Sequence, residues 1–170
     1  MTAKTCLLIG APVDSGKRRA GCLMGPDALR TAGLSAALTD LGHEVRDLGN
    51  IDPGAFRADP AGQTVHARAE TIAWTRALTR AAHDAAGRGT AVFLGGDHSL
   101  SLGTVAGVAA TARDLGRPQF VLWLDAHADF HTPVSSSSGN LHGTPLAYVT
   151  GRAGFHGFPP PPAPVRDENV

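Results

Sequence analysis

Short apolar runs recur along this sequence of 170 residues, separated by longer stretches of helical periodicity. Three of these runs, 5–10, 90–94 and 119–124, contain no charged residue. Such runs are typical of strands that are buried on both faces of a parallel sheet. A weaker alternating pattern at 43–48 predicts a further strand. The pattern therefore predicts four strands.

The stretches between those runs place apolar residues at helical spacing. Helices are predicted over 26–41, 64–86 and 99–115. Pro26 is allowed in a first helical turn, and Gly42 is placed to end the first helix. Strands that alternate with helices imply right-handed crossovers and a parallel sheet between helical layers. We therefore expect a single α/β domain over residues 1–170, a three-layer sandwich with a mainly parallel sheet.

The composition narrows the possible functions. Fifteen Lys and Arg residues balance fifteen Asp and Glu residues, so no excess of charge indicates a nucleic acid or a membrane surface as a partner. The apolar run at 6–9 is too short for a signal sequence or a membrane span. The two cysteines, Cys6 and Cys22, have no disulfide or zinc-motif spacing. We expect a cytoplasmic protein that acts on a small molecule.

Two polar motifs directly follow predicted strands. Residues 95–99 read Gly-Gly-Asp-His-Ser, and residues 125–129 read Asp-Ala-His-Ala-Asp. Open parallel sheets bind ligands at the carboxyl ends of their strands. Asp125, His127 and Asp129 hold alternate positions, which point to one side of an extended segment. Carboxylates mixed with imidazole suit manganese, non-haem iron or zinc, and the carboxylate majority favours manganese.

Each motif also has a plainer interpretation. The pattern at 125–129 is equally consistent with a solvated strand end, and a histidine after two glycines can simply begin a helix. The serine- and glycine-rich segment 135–143 could bind a zwitterionic amino acid, although such segments are more often flexible loops. His142 alone would more often be a surface residue. Two motifs at one edge of the same sheet nevertheless favour a metal site.

Three segments together resemble the ureohydrolases, namely residues 95–99, 123–129 and 138–143. The third, Ser-Gly-Asn-Leu-His-Gly, is similar to arginases in particular, because agmatinases and formiminoglutamases share the first two signatures but typically lack it. The glycines and prolines of residues 10–26, followed by Arg30, also resemble arginases. The resemblance implies an arginase-like fold and a binuclear manganese site that activates water to cleave L-arginine into L-ornithine and urea.

The resemblance also implies metal ligands. His98, Asp125 and Asp129 would bind the first manganese ion. Asp125 and His127 would bind the second ion, with Asp125 bridging the two. Asp97 would support the ligands from behind.

Further residues would act on the substrate. Ser138 and Asn140 would hold its α-carboxylate, and His142 would carry a proton to the leaving amine. His131 stands where arginases usually have an asparagine that helps to recognise the same carboxylate. We therefore count His131 as a candidate substrate-binding residue.

Family members continue for roughly as many residues again, so the resemblance implies that the carboxy-terminal strands and further acidic ligands are missing. We expect this chain alone to be weakly active or inactive. One alternative is a non-catalytic metal-binding or interaction fragment. Another is an agmatinase-like ureohydrolase, whose substrate lacks the α-carboxylate. Arginases often assemble as trimers or hexamers, so the resemblance also implies a homo-oligomer.

Overall fold

The sheet has a central strand with a parallel partner on each side. The computed structural model describes residues 2–170, in which β1 (Thr5–Ala11), β2 (Glu44–Asn50) and β3 (Thr90–Gly95) form a sheet in the order β2-β1-β3. Six of the seven residues of β1 are buried. Parallel pairing on both sides requires each connection to cross over the sheet. The predicted α/β class, with helices flanking a parallel sheet, is confirmed.

The first predicted helix is divided in two. Helices α1 (Gly25–Thr31) and α2 (Leu34–Asp40) replace the single helix that was expected over 26–41. Gly33 has a φ of 90°, in the left-handed region that interrupts a helix and that glycine adopts readily. The prediction of one continuous helix was therefore wrong at this position.

Two longer helices pack closely against each other. Helix α3 (Arg68–Ala86) and helix α4 (Ser101–Asp114) follow β2 and β3 respectively. A Cβ atom on Gly103 would lie 2.5 Å from the Cβ of Leu78. The absence of side chains at such positions allows the two helices to approach closely, which explains why α4 tolerates glycines that lower helix propensity.

The fourth predicted strand is not formed. Among residues 2–170, the segment 119–124 has no strand partner, and its Val121 N–H donates to the carbonyl of Asn169 at 2.8 Å. Leu122 and Leu124 are 84% and 87% exposed, whereas Val121 and Trp123 pack against the apolar core. The alternation of a strand is present, but no neighbouring backbone supplies the ladder of hydrogen bonds that defines one.

The last third of the chain packs around one short helix, α5 (Pro145–Val149). Tyr148 is buried, and its hydroxyl donates to the carbonyl of Pro159 at 2.8 Å. The burial raises the pKa of Tyr148 to about 12. Leu102 of α4 belongs to the same apolar cluster and joins this region to the helical layer. None of the helices in the described residues has the length and apolar character needed to span a membrane.

Candidate metal centre

Three side chains meet beyond the carboxyl end of β3. His98 begins the 3₁₀ turn that precedes α4, while Asp125 and Asp129 follow the segment 119–124. One ligand atom from each lies within 4.8 Å of the others. The Nε2 atom of His98 is 3.1 Å from Oδ2 of Asp129 and 3.7 Å from Oδ2 of Asp125. The structure thus brings together the three residues that were predicted to share the first ion.

The chemistry of this group fits a cation. Nε2 of His98 and Oδ2 of Asp129 are buried and have no hydrogen-bond partner among the described residues. Buried polar atoms are normally paired, so two unpaired atoms facing each other indicate that something is to be bound between them. An imidazole nitrogen and a carboxylate oxygen can both offer lone pairs, and this donor set suits manganese, iron or zinc.

Asp129 has an unusual backbone conformation. Its φ is 48°, in the left-handed region that few residues other than glycine adopt. Its carbonyl accepts hydrogen bonds from the N–H groups of Leu146 at 3.1 Å and Ala147 at 3.4 Å. The start of α5 therefore holds Asp129 in a strained conformation, a feature that is often found at functional sites.

His127 lies outside this group. Its side chain is 84% exposed, and its Nδ1 is 3.3 Å from Oδ1 of Asp125. The backbone N–H of His127 donates to the same oxygen at 2.9 Å. This backbone hydrogen bond is the main reason why the pKa of Asp125 lies below its ordinary value. The alternation expected at 125–129 required an extended segment, and the chain turns here instead.

Asp97 supports the turn that carries His98. It is only 3% exposed, and its two carboxylate oxygens accept hydrogen bonds from the N–H groups of Ser99 at 2.8 Å and Gly16 at 2.7 Å. The ring of His98 packs edge-on against Trp123, with 5.0 Å between the ring centroids. Backbone donors thus contact both oxygens of Asp97, which fixes the turn that carries His98.

A cavity of about 520 Å³ opens beside the three grouped side chains. Eight of the nine predicted site residues line it: His98, Asp125, His127, Asp129, His131, Ser138, Asn140 and His142. The ninth, Asp97, lies behind the cavity. Sequence reasoning missed Phe130 and Ser136, which also line it. The motifs beside them were identified from the sequence, but the residue type of neither one marked it as part of a site.

The segment 135–143 is tied to other parts of the chain. Oδ1 of Asn140 accepts a hydrogen bond from the Arg18 N–H at 3.2 Å, and the N–H of His142 donates to the carbonyl of Gly16 at 3.0 Å. Nδ1 of His131 lies 3.4 Å from Oγ of Ser135. The interpretation of this segment as an unattached flexible loop does not describe the structure.

An α/β fold with a histidine–carboxylate group at one sheet edge, beside a cavity with several polar side chains in its lining, defines the class of protein as a candidate metalloenzyme. Comparison with known proteins then identifies the family. A family model described as the arginase family matches residues 4–158. The chain belongs to the arginase family, and the resemblance found in its motifs is confirmed.

Individual relatives agree with this assignment. The chain is 52% identical over 172 aligned residues to an arginase of Agrobacterium fabrum, an alignment that covers 98% of this chain and 52% of the relative. The crystal structure of an arginase from Bacillus caldovelox matches with a TM-score of 0.74 and 38% identity, covering 87% of this chain and 49% of the other.

An Entamoeba histolytica arginase in complex with L-ornithine matches with a TM-score of 0.82 and 26% identity, covering 100% of this chain and 57% of the other. The chain thus spans about half the length of the curated relatives that it matches.

Proposed function

We propose that this chain carries part of an arginase site, in which L-arginine and water give L-ornithine and urea. The observation that carries the proposal is the group of His98, Asp125 and Asp129, whose donor atoms lie within 4.8 Å of one another beside a cavity that they help to line. When bound, a divalent cation such as manganese would supply the Lewis acidity that makes water a nucleophile near neutral pH.

The three grouped residues would hold the first ion. His98 offers Nε2, and Asp129 offers the buried Oδ2 that is otherwise unpaired. Asp125 would bridge to a second ion, for which His127 is the other candidate ligand. The His127 side chain is exposed, and two protein ligands are fewer than such sites normally have. We therefore expect weak binding of the second ion and little or no activity from this chain alone.

Other polar side chains in the cavity lining suit an α-carboxylate. Oδ1 of Asn140 accepts from a backbone N–H, so its Nδ2 remains as a donor, and the Ser138 hydroxyl can also donate. His131 lines the same cavity and can donate from its ring. These groups would hold the carboxylate of L-arginine and orient its guanidinium group towards the carboxylates of Asp125 and Asp129.

His142 would supply the proton that the leaving amine needs. When the bond between the guanidinium carbon and the side-chain nitrogen of arginine breaks, that nitrogen needs a proton to leave as an amine. The imidazole of His142 lines the cavity, and a protonated imidazole can act as the general acid that supplies this proton. Ornithine then leaves with a protonated amine, and urea retains the oxygen of water.

The test combines metal content with urea release from one purified sample. After manganese loading, we expect about one ion per chain, since three ligands are assembled and the second set is incomplete. The variant Asp129→Asn removes a ligand charge, and asparagine tolerates the positive φ of this position. It should lose the ion, whereas Asp84→Asn on the exposed side of α3 should keep it. Equal metal content in all three proteins would contradict the proposed site.

Substrate choice separates the remaining candidates. Urea release from L-arginine in preference to agmatine would support recognition of the α-carboxylate by Ser138 and Asn140, and the reverse preference would favour an agmatinase-like enzyme. One bound ion without urea release is the outcome expected of an incomplete arginase site, since the His127 side chain faces solvent, whereas two ions per chain with urea release would contradict that expectation. The trimer or hexamer expected by resemblance is tested by the mass of the manganese-loaded protein in solution.

A further inference from the structure

One loop contacts both the turn that carries His98 and the segment that carries Asn140 and His142. Residues 13–22, here called the anchor loop, leave β1 and are closed by the carboxylate of Asp14. That carboxylate accepts hydrogen bonds from the N–H groups of Gly21 at 2.8 Å and Cys22 at 3.2 Å, and from Nζ of Lys17 at 2.9 Å. The loop is therefore held in one conformation by its own contacts.

The anchor loop is also fixed to the helical layer. Ser15 is 2% exposed, and its hydroxyl lies 3.0 Å from Oγ1 of Thr71 in α3. The carbonyl of Val13 accepts a hydrogen bond from the Asp97 N–H at 2.7 Å. These buried contacts place the loop between α3 and the turn that carries His98.

Gly16 joins the two sides of the site. Its N–H donates to Oδ2 of Asp97 at 2.7 Å, and its carbonyl accepts from the N–H of His142 at 3.0 Å. A Cβ atom at this position would lie 2.3 Å from Oδ1 of Asp97 and 2.6 Å from Oγ of Ser99. Only glycine leaves room for this close approach, so the two hydrogen bonds of residue 16 depend on a glycine at this position.

The same loop sets the orientation of Asn140. A backbone N–H can only donate, so the atom of Asn140 that faces the Arg18 N–H at 3.2 Å must be the carbonyl oxygen Oδ1. The Nδ2 group of Asn140 is then the end that remains available to the cavity. The guanidinium of Arg18 donates to the carbonyl of Thr64 at 2.9 Å, which holds this part of the loop in place.

We propose that Asp97 is a positioning residue that acts through the anchor loop on His142 and Asn140, in addition to supporting the turn at His98. The functional roles of His142 and Asn140 rest on the proposed function. The positioning of these two residues does not rest on it, because it consists of hydrogen bonds that NMR can detect whether or not the protein is active. Asp97 would thereby couple the placement of the metal ligand His98 to that of the substrate-facing residues.

The variant Asp97→Asn tests this coupling. Asparagine keeps the shape but offers one acceptor oxygen to the two N–H donors of Gly16 and Ser99. We expect the NMR signals of the His142 amide and of the Asn140 side-chain NH₂ to shift, and hydrogen exchange at the Gly16 and His142 amides to accelerate at least about fivefold as their hydrogen bonds weaken. The control Asp84→Asn makes the same chemical change at an exposed position and should leave these signals unchanged.

The outcome distinguishes coupling from simple capping. If Asp97 only supported the 3₁₀ turn that carries His98, the changes would be confined to Ser99 and its neighbours, and that result would overturn the proposal. Gly16→Ala breaks the same link from the loop side without altering a charge, and it should shift the same His142 and Asn140 signals.

The unmodified chain provides a measurement that needs no variant. A scalar coupling across the hydrogen bond from the His142 N–H to the Gly16 carbonyl should be detectable in the isotope-labelled protein. Its absence would overturn the proposal even if neither variant folds. Absence of metal binding with the coupling intact would instead count against the proposed function alone.

Discussion

Strand β1 and the segment 119–124 are both short apolar runs, yet their surroundings are opposite. Six of seven residues in β1 are buried between two parallel partners, whereas Leu122 is 84% exposed and 119–124 has no strand partner in residues 2–170. The two runs have similar apolar character. Their difference shows that burial depends on which distant segments come to lie alongside a run, and not on the run itself.

The largest expected effect compares one leucine from each run. Leu8 is 0% exposed, so Leu8→Ala should lower the free energy of unfolding by about 3 kcal/mol through lost burial and a residual cavity. Leu122→Ala removes a side chain that is 84% exposed and should change it by no more than about 0.5 kcal/mol. Urea unfolding followed by circular dichroism measures both.

An equal loss in the two variants would break the comparison, because it would mean that Leu122 is covered in solution. Sedimentation at several protein concentrations would then show whether copies of the chain cover it. If the loss of stability rises with protein concentration for Leu122→Ala and not for Leu8→Ala, the contact between copies lies at 119–124.

A second comparison concerns two glycines, one where α3 and α4 pack together and one just after the end of α3. A Cβ atom on Gly107 of α4 would lie 2.3 Å from the carbonyl oxygen of Thr79. We therefore expect Gly107→Ala to destabilise the fold by about 2 kcal/mol, because overpacking outweighs the better helix propensity of alanine. Gly87, after α3, has nothing within 4 Å of the corresponding position, so Gly87→Ala should change stability by a few tenths of a kcal/mol.

Thermal and urea unfolding of these two variants decide the point. If Gly107→Ala were as stable as the unmodified chain, the close approach of α3 and α4 would not be needed for the fold. The metal content of Gly107→Ala is a useful companion measurement, because α4 follows directly from the turn that carries His98.

Local patterns in the sequence predicted what depends on nearby residues. The buried strand β1, the order of elements and the two motifs at one sheet edge all follow from short apolar runs and their flanking residues. The break at Gly33 was missed because glycine is tolerated inside a helical pattern as well as at its end. The strand at 119–124 was wrong because pairing depends on a partner far away in the chain.

The features of the candidate site likewise fall into those that local patterns predicted and those that depend on distant parts of the chain. The sequence identified His98, Asp125 and Asp129 by their motifs, and the structure brings them together. It did not reveal that His127 turns outward, because the expected alternation required an extended segment and the chain bends at residues 126–127 instead. The contacts of the anchor loop were equally hidden, since Gly16 and His142 are far apart in sequence.

Strand β2 sharpens the opening comparison, because more of its residues are exposed than in 119–124 and yet it has a partner in β1. Asp47 of β2 forms two hydrogen bonds with the guanidinium of Arg30 in α1, at 2.7 and 3.0 Å. These bonds are the main cause of a pKa for Asp47 below its ordinary value. The stability that they contribute is therefore present above the pKa of the unfolded chain and is lost as the pH falls through the lower pKa of the folded state.

The smallest predicted effect follows from this ion pair. Asp47→Asn should lower the free energy of unfolding at pH 7 by about 0.5 kcal/mol, the usual contribution of a half-exposed pair, and less in high salt. The difference from the unmodified chain should disappear once acid has protonated Asp47 in the folded state. Asp40→Asn, on the exposed face of α2, is the matched control and should show no such pH dependence. A difference that persisted in acid would mean that the charge of Asp47 and its pair with Arg30 are not the cause of the effect, and that pairing with β1 is what keeps this exposed strand in the sheet.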